Sequence, residues 1–236
     1  MFRNKVIIAA LITFSGLSYA GPPKPIVVID YNDTFSKDTF PRKSAWYGLY
    51  CNASNCEVRN AKVRITSSTA KNILDENEPI DVLHVNDNPI ALFNGFPLKI
   101  GKVTTWFKAN NPMVESGHYS KLKTLGQWHL PWGTTPLTVT WVKLPEYGGF
   151  RYHVSDGKTK QFLFKTEIEG HYGGDTAPFI HWIGDLDRDG KIDLLLSLPD
   201  DNCGFDYRLY LSSQAGKGEL MHTAAQLSGR FAACGC

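Results

Sequence analysis

Four aspartates, Asp185, Asp187, Asp189 and Asp193, stand at positions one, three, five and nine of the stretch "DLDRDGKID". Like charges at contact distance repel by about 4 kcal/mol per pair at a near-surface dielectric, so a loop this crowded calls for a cation among its carboxylates. Gly190 occupies the sixth position, where such a loop turns sharply, and Lys191 at the seventh offers its backbone carbonyl. Hard oxygen donors in this register are the chemistry of calcium; magnesium demands a tighter octahedron and gives up its waters reluctantly. A helix–loop–helix hand would carry a bidentate Glu at the twelfth position, but Leu196 stands there, inside "IDLLLSL", which reads as a buried strand. The expected site therefore lies between strands, with water or a distant side chain completing it; Asp200 and Asp201 are the nearest candidates. From Glu169 to Asp206 nine acids face two bases, Arg188 and Lys191, an imbalance that a divalent ion would partly offset.

No other pattern carries chemistry. Of the seven histidines none forms a zinc pair at helix spacing; His171 and His181 flank the segment before the aspartates. A nucleophile elbow, a phosphate-cradling glycine loop and a dinucleotide fingerprint are all missing from the sequence. The chain is therefore read as a non-enzyme.

The elements that must position the loop follow from composition. Residues 1–20, "MFRNKVIIAALITFSGLSYA", read as a secretory signal peptide, with two bases, a short apolar run and the small residues Ser18 and Ala20 before a cleavage point. Its removal takes Arg3 and Lys5, leaving 23 basic and 23 acidic residues, so the remainder has no basic excess for nucleic acid. No other segment is apolar enough for a transmembrane span. Residues 21–236 are long enough for a sizeable core and are read as one domain, with the calcium-binding segment at about 167–213. Five cysteines lie in that portion, in a compartment where disulfides persist. Cys51 and Cys56 flank "NASN" as the expected pair, and Cys203 paired with Cys234 or Cys236 would tie down the C-terminus.

Period-two alternation with many β-branched and aromatic residues predicts an all-β, antiparallel chain, arranged as a sandwich or propeller-like, with little helix. Expected strands are "PIVVID", "AWYGLYC", "CEVRNAKVRI", "KVTTWFKA", "LTVTWVKL" and "DYRLYLSS". The clearest hairpin is "FRYHVSDGKTKQFLFK", turning at Asp156-Gly157. "TAKNILDE" and "KGELMHTAAQL" are expected to give two helical turns each, and "ANNPMVESGHYSKLK" and "EIEGHYGGDTAP" to be long loops.

The stretches "GDLDRDGKIDLLL" and "LYLSSQAGKGEL" resemble a group of bacterial periplasmic calcium-binding immunity proteins, structurally related to periplasmic lysozyme inhibitors. The aspartate loop itself also resembles the calcium loops between strands of integrin-like extracellular repeats. The first resemblance implies an inhibitor that acts in interbacterial competition by offering a loop to the cleft of a lysozyme-like peptidoglycan hydrolase effector. Carried onto this chain, that loop is "EGHYGGDTAPFIH", with Tyr172 entering the cleft, His171 and Asp175 beside it, and Gly173 and Gly174 allowing close backbone approach. A second candidate is Tyr119 in "SGHY". Many such proteins are lipoproteins, whereas this signal lacks the lipidation cysteine, which points to a periplasmic or secreted soluble product. The competing class is a secreted calcium-stabilised adhesion or carbohydrate-binding module.

Overall fold

The computed structural model describes residues 24–52, 55–72, 74–105, 120–121, 127–130, 136–145, 149–166, 179–198 and 203–234. Among them the only helical element is one 3-10 turn, and everything regular is antiparallel β. The strands in chain order are β1 (Ile26–Val28), β2 (Thr34–Ser36), β3 (Trp46–Asn52), β4 (Asn55–Ala61), β5 (Arg64–Lys71) and β6 (Asn77–His84). They continue with β7 (Ala91–Asn94), β8 (Gly101–Thr105), β9 (Ser120–Lys121), β10 (Gln127–Leu130), β11 (Leu137–Lys143) and β12 (Phe150–Ser155). The last are β13 (Lys160–Thr166), β14 (Phe179–Asp185), β15 (Asp193–Leu198), β16 (Gly204–Leu211) and β17 (His222–Arg230), with the 3-10 turn at Ser212–Gln214 following β16.

A ten-stranded sheet runs β1-β7-β3-β4-β8-β14-β15-β16-β17, with β9 paired to β14. It curls until its two ends meet: the Gln226 amide of β17 donates to the Pro25 carbonyl just before β1 at 3.3 Å. The Tyr207 hydroxyl of β16 adds a 2.7 Å bond to Asp30. The result is a nearly closed, barrel-like sheet. Its interior holds one apolar cluster with Val27, Leu49, Val58, Phe93, Trp182, Leu195, Tyr207 and Leu209 all out of solvent.

A four-stranded sheet, β10-β11-β12-β13, packs on the outside of this curl. Its inner face, including Val139, Tyr152, Val154 and Phe164, meets Ile183, Leu194, Leu196 and Tyr210 from β14, β15 and β16. That second layer explains the unbroken run "IDLLLSL". Leu195 points into the barrel while Leu194, Leu196 and Leu198 point to the outer sheet, so β15 has no solvent face. A three-stranded sheet, β2-β6-β5, completes the fold, bringing Phe35 and Leu83 to the interior cluster.

The Cys51–Cys56 disulfide forms between directly opposed residues of β3 and β4. Cys203–Cys234 forms as well, closing the longer loop. Cys236 and the 1–20 segment lie outside the described residues. No described helix is long and apolar enough to cross a membrane.

Both helical expectations are corrected. Thr69, Ala70 and Lys71 of "TAKNILDE" finish β5, and the chain then turns on Asn72, whose side-chain oxygen accepts the Leu74 and Glu76 amides at 2.9 and 3.0 Å. In "KGELMHTAAQL" a turn at Lys217–Gly218 leads into β17, which pairs with β16 along its length and buries Ala224 and Ala225. Helix propensity for alanine amounts to tenths of a kcal/mol, and the ladder with its apolar contacts outweighs it.

Candidate metal centre

The aspartate loop connects β14 to β15 at one end of the curled sheet. Gly184, next to the first aspartate, sits where β14 and β8 are closest. A Cβ there would lie 2.2 Å from a Trp182 ring carbon and 2.3 Å from the Thr104 carbonyl oxygen. Only glycine lets β14 pass at this point. The loop then turns through Arg188 and Gly190, both left-handed at φ 67° and 84°. Nothing crowds Gly190, so its requirement is conformational. Arg188 bears the same backbone strain with a side chain, whose guanidinium donates to the Lys99 carbonyl at 3.2 Å, tying the loop to the segment before β8.

Carboxylate oxygens of Asp185, Asp187 and Asp193 all lie within 4.8 Å of one another. Asp193 is fully out of solvent and Asp185 nearly so. Backbone amides gather around them: Leu186 N donates to Asp193 at 2.7 Å, Asp189 N and Gly190 N to Asp185 at 3.0 Å each. These bonds do not compensate the burial. Desolvation pushes the Asp193 carboxyl up to about 7, against its amide donors and reinforced by Asp187. Asp185 is raised too, again chiefly by burial. Three hard oxygen donors converging in a largely buried, anion-rich corner could hold a metal ion.

Asp189 stands outside this trio. It is exposed and instead accepts the Lys191 amide at 2.8 Å and the Ser212 hydroxyl at 3.1 Å. Lys191 is exposed on the outer rim of the loop. Asp200 and Asp201, the expected completing ligands, lie outside the described residues.

The side chains that sequence reasoning missed are Ser212 and Ser213. Ser212 is buried; its amide donates to Asp193 at 2.9 Å, and its hydroxyl lies 3.1 Å from both Asp193 and Asp189. The Ser213 hydroxyl donates to Asp187. The signal for them was available in the hairpin. Leu194 pairs with Tyr210, so continuing the register brings the residue after β16 beside the residue before β15.

Of the expected inhibitory residues, His171, Tyr172, Gly173, Gly174, Asp175 and Tyr119 all lie outside the described residues. His181 is on β14, its Nε2 2.8 Å from Ser197 Oγ on β15, apart from the aspartates in the strand. No protein-family model, curated protein or solved structure matches the chain.

Proposed function

We propose that this chain is a non-enzymatic, calcium-stabilised periplasmic immunity protein that inhibits a lysozyme-like peptidoglycan hydrolase by presenting the 171–175 segment to its cleft. The observation that supports the reading is the meeting of two separate motifs. "GDLDRDGKIDLLL" and "LYLSSQAGKGEL", the stretches that resemble such proteins, converge in one hydrogen-bonded corner through Ser212, Ser213 and the aspartates. Both disulfides accord with an oxidising compartment outside the cytoplasm.

In this reading Asp185, Asp187 and Asp193 hold calcium, with Asp189, the Lys191 carbonyl and Ser212 as neighbouring oxygen donors. The ion supplies charge neutralisation and fixes the β14–β15 connection. The same β14 starts at Phe179, so the last three residues of "EGHYGGDTAPFIH", Phe179 to His181, are strand, and Tyr172 stands seven positions before its first residue. A tyrosine hydroxyl and glycine backbone amides on an anchored loop can hydrogen-bond to the acid pair of a glycosidase cleft and exclude substrate.

The test is peptidoglycan hydrolysis by candidate lysozyme-like effectors, titrated with the protein in calcium. Wild type should inhibit stoichiometrically, and Tyr172→Ala should weaken inhibition by about 2 kcal/mol or more, an aromatic hot-spot effect, at unchanged melting temperature. Tyr119→Ala run in parallel separates the two loops. Absence of binding to any such hydrolase overturns the reading.

A further inference from the structure

The outer four-stranded sheet has an unusual charge pattern. Its strands β10 to β13 contain Lys143, Arg151, Lys160 and Lys165 and no Asp or Glu. Asp156 in the β12–β13 turn accepts the Lys158 and Thr159 amides at 2.9 and 2.7 Å.

Register places most of this charge on the face away from the core. Val142, Arg151 and Lys165 form one cross-strand row; Thr140, His153 and Phe162 the next; Thr138, Ser155 and Lys160 the third. The irregularity between Tyr152 and His153 takes up Leu163 as an extra inward residue, which keeps Phe162 and Lys165 on the same outer face. Arg151, Lys160 and Lys165 are exposed. At about 3.4 Å per residue the first and third rows stand ~14 Å apart. Between them Phe162 is 50 % exposed, its ring edge-to-face with His153 at 5.9 Å. Burial, then Lys160 and Arg151, hold His153 below its ordinary value, so near neutral pH it adds ring surface rather than charge.

We propose that this face binds an acidic polysaccharide, with a sugar ring lying on Phe162 and carboxylate or sulfate groups meeting Arg151 and Lys160 in the two outer rows. Charge complementarity selects an anion. The middle row selects a sugar: an open aromatic ring with the His153 ring beside it and the Thr140 hydroxyl one strand further on offers ring contact and hydrogen bonding to a polyol. A lipid surface fits less well, because Phe162 and Val142 lie within strands rather than on a protruding loop tip. Nucleic acid fits poorly with a disulfide-bonded chain in an oxidising compartment. The proposal is independent of the hydrolase-inhibitor reading and involves none of its residues.

The experiment is titration of the mature protein with sodium polygalacturonate, neutral dextran and polyglutamate at low and high NaCl. Polygalacturonate should bind saturably at low salt and release as salt rises; dextran should not bind. R151Q combined with K160Q should lower polygalacturonate affinity about tenfold, and F162A about fivefold, with melting temperatures unchanged because all three residues are exposed. Three results each overturn the proposal: no saturable binding of polygalacturonate, wild-type affinity in both variants, or polyglutamate binding as tightly with F162A without effect. The last would identify the face as one for acidic proteins.

Discussion

Asp193→Asn makes the charge balance of the metal corner measurable. Asp193 has no solvent contact, and its carboxyl is pushed up to about 7 from an ordinary 3.8. A raised carboxyl means that the metal-free folded state binds a proton the unfolded chain has released. Stability from this group is therefore fullest below the ordinary value and is lost as pH rises through about 7. At about 1.4 kcal/mol per pH unit, the penalty in metal-free protein grows from about 2 kcal/mol at pH 5 to about 4 kcal/mol at pH 8. Asparagine removes the charge but keeps one accepting oxygen. Its amide then faces one of the two backbone donors, Leu186 N or Ser212 N, at a cost of about 1–2 kcal/mol.

In chelator the two proteins should therefore be nearly equal at pH 5, and the asparagine variant should be about 2 kcal/mol more stable at pH 8. That difference corresponds to roughly 4–8 °C in melting temperature for a chain of this size. Calcium should reverse the order at pH 8. Wild type gains about 2.7 kcal/mol at a hundredfold the dissociation constant, while the variant, short of one charged ligand, gains little. Thermal melts followed by circular dichroism at both pH values, with calcium or chelator, measure all four quantities. A variant destabilised equally at pH 5 and pH 8 in chelator would show that Asp193 carries no uncompensated charge. Identical wild-type melts with and without calcium would remove the ion from the account.

Ser212→Ala should cost about 1–2 kcal/mol in chelator and weaken calcium binding, since its hydroxyl braces Asp189 and Asp193; melts and calcium titration check both. Gly184→Ala should cost more than 3 kcal/mol or abolish soluble expression, because the new methyl meets the Trp182 ring and the Thr104 carbonyl. Removing the Cys203–Cys234 bridge with paired serines should cost about 3–4 kcal/mol, against about 2 kcal/mol for the Cys51–Cys56 bridge. The longer bridge restricts far more of the unfolded chain; denaturant unfolding of the two double variants compares them.

Strands were legible in several segments where alternation met bulky β-formers, although "CEVRNAKVRI", expected as one strand, is divided between β4 and β5 in different sheets. "AWYGLYC" became β3, "LTVTWVKL" β11 and "DYRLYLSS" β16, and the Asp156-Gly157 hairpin turns with Gly157 at φ 88°. The misreadings fall where side chains are small or polar. "HTAAQL" in β17 carries two alanines that any local rule assigns to helix. They are strand residues because β16 lies alongside and both alanines are buried against the interior cluster. Local composition does not encode that neighbour. The same holds for the curl of the ten-stranded sheet, which depends on β1 and β17 meeting across nearly the whole length of the chain.

The metal corner divides along the same line. Its aspartates were readable because candidate ligands repeat within one short loop, so spacing alone carries the information. Its serines come from the far end of the next hairpin and are fixed only by the β15–β16 register. Their role follows from what the carboxylates lack. Asp193 opens β15 at the end where β14 and β16 finish, on the same face as Leu195, and is out of solvent. Backbone amides from the loop supply part of the missing solvation, and Ser212, buried at the end of β16, supplies an amide and a hydroxyl more. The residual charge stays uncompensated, as the raised Asp193 and Asp185 carboxyls record. A corner built for stability alone would place an apolar side chain at Asp193 and avoid that cost. Retaining a buried carboxylate beside two others leaves an anionic corner that a bound cation would stabilise, which is why the reversal of order between chelator and calcium is the decisive measurement.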